Sequence, residues 1–356
     1  MAANFWESTQ RRYWLFSKDE LAAMRQKLED EDPNLVQSFP LPELRHLNIY
    51  FNQQINRLGK RLGVRQQALA TAQVYIKRFY TRVEIRRTNP YLVIATSLYL
   101  ACKMEECPQH IRLVVQEARG LWPTELHGQD TSKLGECEFF LISEMSSQLI
   151  VHQPYRTLTT LQNDLGLTAD EAQGAWSVIN DHYMTDLPLL YPPHVIALTA
   201  VLLAMVLRPS PPGGNMAGGG SGQPNSAGGL AMAASTLAQM QAAQQAHAAR
   251  MAAAGGGGGS GIGSAPGTPT LTPQGSYSGQ TPQVGEYPSQ TKKIPDARFV
   301  KVQRFSAWLA ESNVDIEGMI DCTQELISFY ECHEGYNDKG TREQINRFIK
   351  ARGLDK

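Results

Sequence analysis

The chain repeats itself. At an offset of 103 residues, with no gap, Leu62-Gly63 falls on Leu165-Gly166, Ala72 on Ala175, Ile76 on Ile179 and Tyr80 on Tyr183. Further along the same offset Pro90 meets Pro193, Val93 meets Ile196, Ala95 meets Leu198, and Leu100-Ala101 meets Leu203-Ala204. Glycine marks helix ends and proline marks helix starts, so a match that includes both, with apolar positions in register between them, repeats a helical layout. Any fold for this chain must therefore contain two similar helical units.

The first copy shows what the unit is. Leu44, Leu47, Phe51, Ile55, Leu58 and Leu62 recur at helical spacing between Pro40/Pro42 and Gly63, which places them along one side of a helix. A second helix is predicted over Arg65–Tyr80, with Leu69, Ala72, Ile76 and Phe79 inward and Lys77, Arg78 and Arg82 on or beyond the outer side. Tyr91–Lys103 is apolar on nearly every side, as a helix surrounded by others must be. Ile111–Glu117 and Ser132–Leu149 complete five helices, and residues 41–150 are read as one all-α domain.

The second copy opens at 151–208 and is interrupted. Residues 209–293 hold 19 of the 30 glycines and only three basic residues, Arg250, Lys292 and Lys293. Such a composition buries too little apolar surface to offset its ordering entropy, and the segment is predicted to be disordered. Helical patterning resumes at Ala297–Glu311 and Val314–Glu331, so residues 294–356 are expected to supply the remainder of the second domain and a C-terminal tail. Residues 1–40 form an N-terminal helical arm that carries Phe5, Trp6, Tyr13 and Trp14, with Ser17 and Glu20 spaced as a capping box.

Chemistry-bearing constellations are missing from this layout. No P-loop, nucleophile elbow, zincin helix or kinase signature set occurs. The eight histidines include no pair four residues apart, and the five cysteines form no CxxC. Neither a metal nor a cofactor is expected, and an odd cysteine count fits a reducing compartment better than a disulfide framework. The longest apolar stretch, Val195–Leu207, is shorter than the ~20 residues a membrane span needs. Basic and acidic residues balance at 21 against 22 in 1–208 and at 9 against 11 in 294–356. No surface is basic enough in composition to neutralise a phosphate backbone, so direct nucleic-acid binding is not expected. A binding protein without enzymatic activity is the reading that remains.

Tandem all-helical domains with LACKMEE (Leu100–Glu106) closing the first central helix and LGECEFFLISEM (Leu134–Met145) forming the fifth resemble the cyclin box. Within the cyclins, NFWEST (Asn4–Thr9), RQQALATAQVYIKRFY (Arg65–Tyr80), LIVHQPYRTL (Leu149–Leu158), DHYMTDLPLLYPPHVIAL (Asp181–Leu198) and WLAESNVDIEGM (Trp308–Met319) resemble the cyclin C family. The resemblance covers nearly all of the chain outside 209–293. It implies a nuclear regulatory subunit of the Mediator-associated cyclin-dependent kinase, acting on RNA polymerase II transcription as an activator or a repressor. The first box would press on the kinase C helix and position its Glu for phosphoryl transfer, without supplying a catalytic atom.

Carried over by that resemblance, the kinase-binding residues are Lys103 of LACKMEE and Glu138 of GECEFF, with Glu136 as the alternate on the same helix. At the offset of 103 Lys103 falls on Val206, so the second copy lacks the contact residue. Trp6, Arg78 and Arg82 are candidate docking residues for the kinase or another kinase-module subunit. The MRAIL motif of cell-cycle cyclins is absent from Pro42–Ile55. Thr268, Thr272 and Thr281, each before proline, would be accessible to proline-directed kinases. Two rivals share the fold class: a transcription factor IIB-like promoter-binding protein, which near-neutral charge and a missing zinc ribbon disfavour, and a transcriptional cyclin of the H or K type.

Overall fold

A computed structural model describes residues 4–207, 297–355 and five positions between 241 and 249. Those five positions are helical; the rest of 209–293, the Thr-Pro sites included, lies outside the described residues. The described chain is helical throughout, with no strand among the described residues. It divides into two compact units, one formed by 1–237 and 314–356, the other by 238–313.

In the first unit the arm comprises a short 3-10 turn (Phe5–Glu7) and helices α1 (Thr9–Tyr13), α2 (Lys18–Asp30) and α3 (Pro33–Ser38). The Ser17–Glu20 capping box forms as predicted at the start of α2. The first helical set follows: α4 (Leu44–Leu62), α5 (Gln66–Phe79), α6 (Pro90–Met104), α7 (Ile111–Leu121) and α8 (Thr131–Glu144). The second set begins with α9 (Pro154–Asp164), α10 (Ala169–His182), the single turn α11 (Leu187–Leu190) and α12 (Pro193–Leu207).

The duplication holds to the residue. Helix α5 shifted by 103 is α10, and α6 shifted by 103 is α12, with both ends coincident. Gly63 and Gly166 stop the preceding helices in the left-handed region, at φ 64° and 61°. Each is followed by the same closing bond, Val64 N–H to Gly59 C=O at 2.9 Å and Leu167 N–H to Gln162 C=O at 3.0 Å. Proline occupies the first turn of α6 and of α12, where its missing N–H costs nothing. Helices α6 and α12 are buried on almost every side and form the centres of their sets.

Three departures from the sequence reading matter. Helix α7 runs on to Leu121, one turn past the expected end. Helix α8 stops at Glu144 and not at Leu149, because Ser146 and Ser147 both adopt positive φ (52° and 57°) and reverse the chain. The carbonyls beyond this reversal are taken by α5: Tyr75 Oη donates to Leu149 C=O at 2.6 Å and Arg78 Nη1 to Gln148 C=O at 2.8 Å.

The third departure is at the C-terminal end. Beyond α14 (Ile316–Glu334), which packs on α12 and α4, helix α15 (Asp338–Ala351) inserts Ile345, Phe348 and Ile349 into the core of the first set. The segment after 334 is therefore no tail of the second domain. Helix α13 (Ala297–Glu311), predicted at those residues, belongs to the other unit; within it the Phe305 and Trp308 rings stack at 6.1 Å.

Candidate functional site

Because α6 is enclosed, only its last turn emerges. There Glu106 takes φ 53°, Cys107 N–H closes on Cys102 C=O at 2.9 Å, and the chain turns away with Lys103 and Met104 exposed at the rim. Helix α8, capped by Asp130 accepting from Lys133 N–H, packs against α6 through Leu134, Cys137 and Leu141. That register rotates Glu138 toward the last turn of α6.

Lys103 and Glu138 form an ion pair between these two helices. The Lys103 side chain is 40% exposed and the Glu138 side chain 12%, so the pair sits at the edge of the core with one flank open. Lys103 Nζ also lies 4.7 Å from the Tyr99 ring centre, a cation–π contact that steadies the ammonium. A lysine ammonium has three donors and a carboxylate several acceptor sites. Each group thus retains capacity for charge-assisted bonds to a backbone docked beside it. Glu136, the alternate, points elsewhere: its side chain is 66% exposed and pairs with Lys133 one turn back at 3.2 Å. The geometry joins Lys103 to Glu138 and leaves Glu136 out.

Apolar side chains flank the pair in sequence and are exposed. Phe139 is 76% exposed and Met104 40%. Phe140 is also partly open, held edge-on against buried Phe79 at 5.2 Å. Phe139, with three-quarters of its surface exposed, directly follows the ion-paired Glu138 in the chain. Phe139 falls off the Leu134–Cys137–Leu141–Met145 stripe, and that misfit was the available signal for it.

Lys77 and Arg78, expected on the outer side of the second helix, are buried. Arg78 is fully buried; its guanidinium lies 5.0 Å from the Trp14 ring centre and donates to Gln148 C=O. Trp14 is itself buried, with Nε1 donating to Gln148 Oε1 at 2.7 Å. Arg78 thus fastens the arm and the inter-set linker to α5, and it is withdrawn as a docking residue. Lys77 and Arg86 are buried too. Arg82 remains exposed, its guanidinium 5.5 Å from the Trp14 ring centre.

Trp6 is half exposed and rests against His194 of α12 at 5.2 Å, with the Arg11 guanidinium 5.4 Å from its ring. It forms one wall of a cavity of about 570 Å³ shared with Tyr155, Arg156, Trp176 and His152. The same cavity is lined by Gln67 of α5 and Glu105 at the end of α6, so Trp6 stands where residues of both sets meet. No group of three or more His, Cys, Asp or Glu side chains among the described residues is placed to hold a metal, and no described helix is long and apolar enough to cross a membrane.

Two helical sets, each around a buried central helix, with a charged pair at the rim of the first, define the class of fold. Residues 14–148 match the family model for the cyclin N-terminal domain. Over their full length and that of this chain, RNA polymerase II holoenzyme cyclin-like subunits of Neurospora crassa and Chaetomium globosum are 68% and 69% identical. The protein of the same name from Gibberella moniliformis is 58% identical, again over both full lengths. The chain belongs to the cyclin family, in its cyclin C branch.

Proposed function

We propose that this chain is the cyclin subunit that binds and activates a cyclin-dependent kinase of the Mediator complex, and so regulates RNA polymerase II transcription in the nucleus. The observation that carries the reading is the Lys103–Glu138 pair beside Phe139, an open charged and apolar face on the first helical set. In this proposal that face receives the kinase C helix and holds it with its Glu turned toward the ATP-binding lysine. The cyclin contributes no reacting atom; its effect is on the population of the active kinase conformation. The names of the full-length relatives support the transcriptional assignment.

The second helical set has the same central helix but Val206 where Lys103 stands, which favours the first set alone as the kinase-binding face. Trp6 and Arg82 are assigned to a further kinase-module subunit.

The test is a pull-down of tagged full-length chain from nuclear extract, wild type against Lys103→Glu, with co-purifying chains identified by mass spectrometry. Wild type should retain a cyclin-dependent kinase with Mediator subunits, and the variant should lose the kinase while keeping its helical circular dichroism. A wild type that retains no kinase overturns the assignment.

A further inference from the structure

Helix α2, helix α4, the C-terminal half of α5 and the turn after it line a solvent-open cavity of about 160 Å³. Most of its wall is apolar, from Leu28 on α2, Leu44 and Phe51 on α4, Ile76 on α5, and Tyr80 and Val83 beyond it. Charged groups reach it as well, and all but one of the cations are already committed. Arg25 donates through both terminal nitrogens to Asp186, at 2.7 and 2.9 Å. Arg86 gives Nη1 to Glu84 at 2.5 Å and Nε to Phe39 C=O at 2.6 Å. Glu29 lies on the solvent side.

Lys77 is the exception. It is 7% exposed, lines the cavity, and among the described residues makes no hydrogen bond and has no carboxylate within ion-pair distance. The carboxylate whose field it feels most, Asp186, is held by Arg25 and Asn48. An ammonium on a cavity wall with no acceptor from the chain keeps its donors for an anion that enters the cavity. Burial pushes Lys77 down to about 8, so at neutral pH it still carries its proton.

We propose that this cavity is a binding site for a small carboxylate with an apolar body, its carboxylate on Lys77 and its body among Leu28, Phe51, Ile76 and Val83. Size and charge both select this class. A volume of roughly 150 Å³ admits benzene, so this cavity seats one aromatic ring or a short alkyl chain. One uncommitted positive charge is neutralised by a monoanion; a neutral ligand would leave it unpaired, and a phosphate dianion would bury an excess negative charge. The cavity shares no residue with the Lys103–Glu138 pair, so its occupancy is separable from kinase binding. A bound ligand would join α2 of the arm to α5 of the first set.

Isothermal titration calorimetry on the full chain at neutral pH tests this, with benzoate and hexanoate as probes and benzyl alcohol as the uncharged counterpart of benzoate. Saturable one-to-one binding of benzoate or hexanoate is expected, with benzyl alcohol at least ~10-fold weaker than benzoate. Lys77→Met should weaken benzoate by a similar factor while leaving benzyl alcohol nearly unchanged. Leu28→Trp, which fills the cavity from its α2 side, should abolish binding of every probe. Absence of saturable binding of both carboxylates up to ~10 mM overturns the proposal, as does a folded Lys77→Met that binds benzoate as the wild type does. Should Lys77→Met not fold, Leu28→Trp decides, because undiminished benzoate binding in that variant places the ligand elsewhere.

Discussion

Arg342 and Glu125 are 217 residues apart in the chain, yet Arg342 Nη2 donates to Glu125 Oε1 across 2.8 Å. Asn346 Nδ2 donates to the same oxygen at 2.8 Å, and Thr124 Oγ1 to the other at 2.6 Å. Asn346 Oδ1 in turn accepts from Tyr91 Oη, which shares a 2.8 Å hydrogen bond with Tyr50 Oη. This chain of bonds docks α15 on the first helical set, above Ile345, Phe348 and Ile349.

Glu125→Ala should therefore destabilise the fold by about 2–4 kcal/mol, since it strands donors on Asn346 and Arg342 in a largely buried site. Burial alone would raise the Glu125 carboxyl, but its hydrogen bonds outweigh that and hold it below its ordinary value. Its contribution is thus present above the unfolded carboxylate pKa and is lost as pH falls through the depressed folded value. Urea denaturation at pH 7 measures the loss, and Glu125→Gln, which keeps one acceptor, should lose less.

Exchanging the partners of the rim pair separates a structural role from a docking one. Lys103→Glu and Glu138→Lys alone should each weaken kinase binding by about 2–5 kcal/mol. The double exchange rebuilds an ion pair within the cyclin, so it should restore thermal stability but not affinity. Calorimetric titration with the kinase reads both, and an affinity recovered in full would make the pair purely internal.

Arg78→Leu should act on stability and leave the kinase-facing surface intact. It removes the donor to Gln148 C=O and the cation beside Trp14, at a cost of about 2–4 kcal/mol. Trp14→Ala opens a cavity in the same place and should cost about 3–5 kcal/mol. The two losses should not add, because the residues touch; a double-mutant cycle by chemical denaturation gives the coupling.

A buried neutral imidazole sets the acid side of the stability profile. His182 is fully enclosed and bonds Ile179 C=O through Nδ1; burial lowers its pKa from 6.5 to about 3. Between these values the unfolded chain binds a proton that the folded chain refuses, so stability falls with pH at about 1.4 kcal/mol per unit from this group. His152 and His194, also lowered mainly by burial, act in the same direction. His182→Gln should flatten the slope between pH 6.5 and 5, as measured by the denaturation midpoint.

Much of this architecture was legible because helices announce their ends locally. The glycine stops at 63 and 166 and the proline starts at 90 and 193 placed α5 against α10 and α6 against α12 before any coordinates were needed. What escaped was long-range. Polar residues Gln73, Lys77 and Arg78 make α5 look one-sided, whereas it is buried all round, between α4 and α6 on one side and α11 with the inter-set linker on another. The choice of Glu138 over Glu136 turned on the rotation of α8 against α6, which spacing alone does not give. In α15 the positions of Ile345, Phe348 and Ile349 signal a buried face, but no local rule says that the face belongs to the first set.

That last placement bears on how the protein is made. Synthesis proceeds from the N-terminus, so the first helical set leaves the ribosome long before α15 exists. Until residues past 337 are translated, the seat for Ile345, Phe348 and Ile349 stands open to solvent and Glu125 waits for its partners. The earliest part of this cyclin to emerge is thus among the last to mature, and a nascent chain stalled within the 209–293 segment would display an apolar face inviting chaperones.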